Sequence, residues 1–539
     1  MWRTPECGDF TITHERAKAH HPSGLLTSMT NNQWGTSMSD RRINQTGLAA
    51  AQEKRFIKSL RRVDIVLFIV AAVISMDTIG SMASGGLASV TWGVILVLVF
   101  MVPYAMLFAE TGSAFPEEGG PYQWTKFAFG RLLGGVTSVM YWVTTPIWLG
   151  GSLAFIATNT FSTFVIHIPS GSVFDWAFKL GYVWIAVLLA VMSLKTGKVY
   201  VNIGAWAKMA VLGLLVVTTA LYGLRHGFAT QHWSLLRPSI SSFLYAAPVM
   251  LFSYVGFEAP NSASEEMFDA AHDTGPAIRT GTIITALGYL LPVLAIILVL
   301  PASQTSGLSG YMSALSIVFH GVYGPLSGLM IKIAAILFVI AVINLGSSWM
   351  ISTDRTQAMA AADGTYFNGY FGVFNERFGT PLRVNITSGI IGSLFTAAAM
   401  LIVNGSAASI FGVVLNTAVS TLLFSYLVIV PAIMVLRHKF PNRHRPYTVP
   451  GGTPGFYLLS SVVLLFLIVG AVSTIAPSVL YSIFGASYSF QDSWGVSGLR
   501  FELFTVGTLV SVVIIGLVGY LFAGSVRRDL RPIEEASVG

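Results

Sequence analysis

The chain has 539 residues, 54% of them hydrophobic and only 10% charged, and its mean hydropathy is +0.69. That balance excludes a water-soluble surface and describes a polytopic membrane protein. The formal net charge of +7 is accounted for by the lysines and arginines that orient membrane helices, so no nucleic-acid partner is invoked.

A spanning helix needs about 20 mostly apolar residues. Twelve segments qualify, at 63–87, 91–112, 133–165, 178–196, 200–224, 243–264, 280–301, 326–353, 384–403, 407–436, 456–477 and 501–523. The alternation of a membrane barrel is absent, so the expected class is all-α integral membrane with 12 transmembrane helices. With the N-terminus in the cytoplasm, 25 of the 31 lysines and arginines fall on the inside and four on the outside, which places both termini in the cytoplasm.

In chain order, residues 1–55 are polar and form an expected disordered cytoplasmic tail. It holds the one cysteine, Cys7, so neither an internal disulfide nor a cysteine metal cluster can form. The first span is interrupted by "SMDTIGSMASGG", residues 75–86. From Val63 to Met76 the helix would rise only about 21 Å, short of the far side of the bilayer. Asp77 to Gly86 is then expected to be an unwound turn followed by a short half-helix. Glu110 closes span two and suits a gate or a helix-end network, whereas Glu117 and Glu118 follow it in a loop and are expected to be solvated. Lys208 lies about 12 Å inside span five, too deep for easy snorkelling. The sixth span contains "LFSYVGFEAPNSASEEM", residues 251–267, with Gly256, Glu258 and Pro260 at membrane depth. Lys332, near the outer end of span eight, is expected to snorkel.

Breaks at membrane depth are tolerated only where protein or a water-filled cavity surrounds them. Glycines there can also serve close helix packing, but here each break carries an acid. Five spans separate the two, so the units that contain them run in opposite directions. That is the signature of an inverted-repeat transporter with its site near the midplane. The expected organisation is a first repeat at 56–240, a second at 241–440, two further spans at 441–525 and a cytoplasmic tail at 526–539. Exposed N–H groups at a half-helix N-terminus attract a carboxylate, and exposed carbonyls attract an ammonium.

Five stretches, "FPEEGGPYQW" (115–124), "SYVGFE" (253–258), "DRTQAMAAADG" (354–364), "FGTP" (378–381) and "RHRPYTVPGG" (443–452), resemble the amino acid permeases of the amino acid, polyamine and organocation superfamily. The resemblance covers about residues 55–525. It implies the 5+5 inverted-repeat (LeuT-like) fold with broken helices 1 and 6, alternating access, and a plasma-membrane location. It also implies that the first break, Ser75, Asp77, Thr78, Gly80 and Ser81, meets the substrate carboxylate. The second, Ser253, Tyr254, Gly256 and Glu258, meets the amino group, and Phe252 closes over the substrate or simply packs. Lys208 is similar to a lysine that stands in for a sodium ion against carbonyls of span one, either as a proton gate or as a fixed brace. Glu258 either carries a proton or holds the unwound turn. Asp77 departs from the family's glycine or serine: either it is neutralised or turned toward Lys208, or the substrate lacks a carboxylate and is a polyamine or other organic amine.

The expected function is therefore a secondary transporter of an amino acid or a related amine, working by proton coupling or by exchange, with the lipid bilayer as its surroundings. No cofactor is implied. No HExxH, GxSxG, CxxC or P-loop pattern occurs, which argues against an enzyme, and the repeated polar rings of a channel are missing. A sensor that binds without transporting would keep the same pocket.

Overall fold

The computed structural model describes residues 46–528 apart from 54–55, 193, 229–236, 238, 302–304, 306, 404–405 and 486. Most of the N-terminal tail, Cys7 and residues 529–539 lie outside the described residues. Among those described, ten helices are long and apolar enough to cross a bilayer, and Arg62–Val73 with Met76–Ala83, bent by 48°, makes an eleventh. The twelfth crossing is interrupted: Ile240–Ser253 is followed by a tight helical turn at Ala259–Glu266. Among the described residues the regular secondary structure is helical, apart from one isolated bridge between Leu60 and Met267.

Spans one to five are the bent pair, Leu87–Ala114, Arg131–Phe164, Val173–Val191 and Leu194–His226. Spans six to ten are the interrupted segment, Ala270–Val299, Ser327–Ala362, Leu382–Leu401 and Ala407–Lys439, and spans eleven and twelve are Gly452–Ile475 and Gly498–Phe522. Span three runs through the middle: its most apolar window is fully buried, against 33% for span five. Leu224, Leu394 and Leu465 are exposed and form part of the lipid-facing surface that a bilayer requires.

Some connections are themselves helical. Pro121–Phe129 follows span two, its proline at a first-turn position where the missing N–H costs nothing. Gly310–Tyr323 precedes span eight, and Pro477–Ile483 and Phe490–Trp494 join spans eleven and twelve.

The end of the molecule that carries the arginine-rich connections, here called the basic end, is closed. Arg355 of span eight is 1% exposed, packs against the rings of Phe56 and Phe374 and pairs with Glu118 at 3.0 Å and with Glu266. Asp363 accepts from Tyr122 at 2.7 Å and Lys126 at 2.8 Å, and from the Thr46 N–H at 3.1 Å. Glu110 pairs with Arg437 and, at 3.2 Å, with Arg445, while Glu117 pairs with Arg443 at 2.9 Å. Glu117 and Glu118 are thus buried, not solvated as their loop position suggested. Their cations come from spans and connections more than 200 residues away, which local sequence does not reveal.

Candidate substrate site

The first break lies earlier than the small-residue run implies. Ile74 and Ser75 are the extended residues, and Asp77 already belongs to the first turn of the half-helix Met76–Ala83. A break in lipid leaves carbonyls and N–H groups that must be satisfied, and side chains from other spans supply the partners. The Tyr289 hydroxyl of span seven accepts from the Ser75 N–H at 2.7 Å and donates to the Val73 carbonyl at 2.6 Å. Trp349 Nε1 of span eight donates to the Ala72 carbonyl at 2.6 Å. Lys208 Nζ of span five donates to the carbonyls of Ala71 at 2.6 Å, Ile74 at 2.8 Å and Val70 at 3.4 Å. The lysine therefore occupies oxygen ligands as a small cation would, and it makes no hydrogen bond or ion pair with Asp77 among the described residues.

Asp77 is fully buried at the N-terminal turn of its half-helix, where the helix dipole favours a negative charge. Its Oδ2 accepts from Trp148 Nε1 at 2.8 Å and from Ser152 Oγ at 3.4 Å, and its Oδ1 has no partner. Trp148 immediately precedes, and Ser152 lies within, a π-helical turn of span three, Leu149–Leu153, a local widening that often marks a functional position in a helix. Neither residue was anticipated from sequence. Their four-residue spacing, which sets two donors on one helical face, was the available signal.

The second break joins the first. Ser253 Oγ donates to Thr78 Oγ1 at 2.8 Å, and Thr78 Oγ1 donates to the Ser75 carbonyl at 2.8 Å. Gly256 has φ +108°, and a Cβ there would stand 2.7 Å from Trp349 Cζ2, so only glycine fits. Phe252 is buried edge-on to Trp148, their centroids 5.1 Å apart. Gly80 packs in the half-helix against Gly310, and Ser81 opens on a cavity toward the end opposite the basic one. Tyr254 faces away from Asp77: its hydroxyl donates to the Gly93 carbonyl of span two at 3.4 Å.

Glu258 does not meet Asp77. It is fully buried in a cage of three tyrosines, accepting from Tyr104 at 2.6 Å, Tyr141 at 3.0 Å and Tyr426. The rings of Trp148, Trp349 and Tyr141 stand in succession between the two acids, with centroids 6.3 and 6.0 Å apart. Asp77 thus keeps an acceptor free, whereas both oxygens of Glu258 are occupied. The cage tyrosines, on spans two, three and ten, were also missed. Isolated tyrosines in apolar runs read as interfacial or core residues unless their acid partner is known.

The family model described as "Amino acid permease" matches residues 60–488. A transporter of Legionella pneumophila is 25% identical over 462 residues, 85% of this chain and 96% of that protein. A probable agmatine/putrescine antiporter of Lactococcus lactis is 24% identical over 416 residues, 76% and 87% of the two chains. A probable polyamine transporter of Arabidopsis thaliana is 23% identical over 394 residues, 70% and 71% of the two. Among solved structures, a manganese transporter of Eremococcus coleocola shares the fold with a TM-score of 0.58 at 13% identity, covering 91% of this chain and 99% of that one.

Proposed function

The chain belongs to the amino acid permease family of membrane transporters, and from that premise we propose that it moves a small organic amine, of the polyamine or guanidino-amine class, across the plasma membrane. Asp77 is the counter-ion in this reading, both termini are cytoplasmic, and transport proceeds by alternating access between spans one and six. The observation that carries the reading is the Asp77 carboxylate, buried with one oxygen unpartnered at a half-helix N-terminus. A zwitterion would bring a second carboxylate to a position that already holds one, and like charges in a low-dielectric site repel strongly. An alkylammonium or guanidinium instead supplies the missing donor and neutralises the charge. The two relatives named for polyamine-class substrates agree with this direction.

Lys208 and Glu258 are the coupling groups in the same reading. Loss of the Lys208 proton would leave two N–H donors and no charge for the carbonyls of Val70, Ala71 and Ile74, loosening the hold that keeps the two halves of span one in place. Glu258, held by three tyrosine hydroxyls, can take a proton without leaving its cage.

The test is counterflow in proteoliposomes, preloaded in turn with putrescine, agmatine, γ-aminobutyrate, and acidic, neutral and basic amino acids. Accumulation with carboxylate-free amines supports the reading. Accumulation confined to zwitterions sinks it and makes Asp77 a protonated side chain, and saturable binding without flux identifies a sensor.

A further inference from the structure

A cavity of about 380 Å³ lies beyond the Asp77 site, toward the end opposite the basic one. Its floor includes Ser81 and Ser84, on and just past the half-helix that carries Asp77, and Ser81 is one helical turn from Asp77 on the same helix. Its outer wall is made by the two short helices between spans eleven and twelve. Aromatic side chains dominate that wall: Tyr481 and Tyr488 stand 4.9 Å apart and Trp494 Nε1 donates to the Tyr488 hydroxyl, while Tyr245 of span six also lines the cavity and shares a hydrogen bond of 3.1 Å with Ser84. Among the described residues Asp492 is the one carboxylate in the lining, no lysine, arginine or histidine lines it, and the Asp492 carboxylate has no ion pair or hydrogen bond.

Aromatic faces attract ammonium and guanidinium groups, and a single unpaired carboxylate gives the space a negative potential. The volume suits a small molecule. The geometry points to an outer docking subsite for an organic cation, held by Asp492 and the faces of Tyr481, Tyr488 and Trp494 before it passes Ser81 to reach Asp77. The inference rests on the amine reading of the inner site, and it gives the hairpin between spans eleven and twelve, outside the repeats, a function in substrate capture.

The experiment does not require a known substrate. In a Cys7→Ser background, Ser493→Cys places a thiol in the cavity wall beside Asp492. Its modification is timed with a trimethylammonium-bearing and a sulfonate-bearing methanethiosulfonate. The cationic reagent is expected to react faster relative to each reagent's rate with a free thiol. Asp492→Asn should lower the ratio of the two rates by about fivefold or more, because a nearby unit charge acts in opposite senses on the two reagents. Asp492→Glu should retain the preference, which separates charge from misfolding, and putrescine should slow the cationic reagent only while the carboxylate is present. A rate ratio unchanged by Asp492→Asn, or no protection by putrescine, overturns the subsite. Absence of amine counterflow with the charge preference and the protection intact instead overturns amine transport and leaves a cation-binding cavity.

Discussion

Replacing Asp77 with asparagine removes one charge and changes almost nothing in volume. The amide oxygen can still accept from Trp148 Nε1, now 2.8 Å from Oδ2, so the packing of span three against the half-helix is expected to survive. The NH2 group then takes the place of the unpartnered Oδ1 and presents a donor to an incoming donor. A hydrogen bond to a charged group contributes about 1.5–3 kcal/mol, and at about 1.4 kcal/mol per decade its loss weakens amine binding by roughly 10- to 150-fold. Binding of putrescine or agmatine to the purified protein by calorimetry measures this directly, with counterflow as the functional readout and the melting temperature as the control for folding. The reasoning is refuted if Asp77→Asn binds the amine within about twofold of the wild type, or if the substitution improves transport of a zwitterionic amino acid while the wild type transports no amine.

Lys208→Ala strips donors from the carbonyls of Ala71 and Ile74; each buried acceptor left unpaired costs about 1–3 kcal/mol, so a lower melting temperature and lost flux are expected. Gly256→Ala forces an L-residue to φ +108° with its Cβ against Trp349, and strain of about 1–3 kcal/mol should abolish transport more completely than it lowers stability. Arg355→Ala leaves Glu118 and Glu266 buried without their cation, a change of about 3–5 kcal/mol, and a cysteine at the basic end should become accessible to thiol reagents.

Twelve crossings, two of them interrupted, were legible because hydrophobic length and breaks by small residues are local properties. The position of the first break was not. Ile74 and Ser75 read as ordinary helix, and what unwinds them is a set of donors from spans five, seven and eight: Lys208, Tyr289 and Trp349. The same cause hid the burial of Glu117 and Glu118, whose arginines enter from span eight and from the connection after span ten. Asp77 stood out because an acid in an apolar segment is costly without a partner, whereas Trp148 and Ser152, which fix its orientation, belong to a span whose composition gives no warning. Local sequence therefore announces a site through the residue that is expensive to bury, and leaves unannounced those that make the burial tolerable.

The two breaks are mechanically one unit. Ser253 holds Thr78, Thr78 holds Ser75, and Tyr289 ties Ser75 to Val73 across the kink, so a shift of either half-helix must disturb the hydroxyl chain that sets the other. Lys208 grips the opposite side of the same kink. In the proposed reading a cation docking on Asp77 adds charge beside these bonds on the half-helix Met76–Ala83, while the arginine pairs of Glu118, Glu110 and Glu117 hold the basic end shut. Binding energy at Asp77 can favour opening only to the extent that the amine interacts better with the open arrangement than with the closed one. The basic-end ion pairs set the threshold that this difference must exceed. Weakening Arg355 should therefore raise the open population without substrate and reduce the dependence of opening on substrate, a pairing of effects that simple loss of stability does not produce.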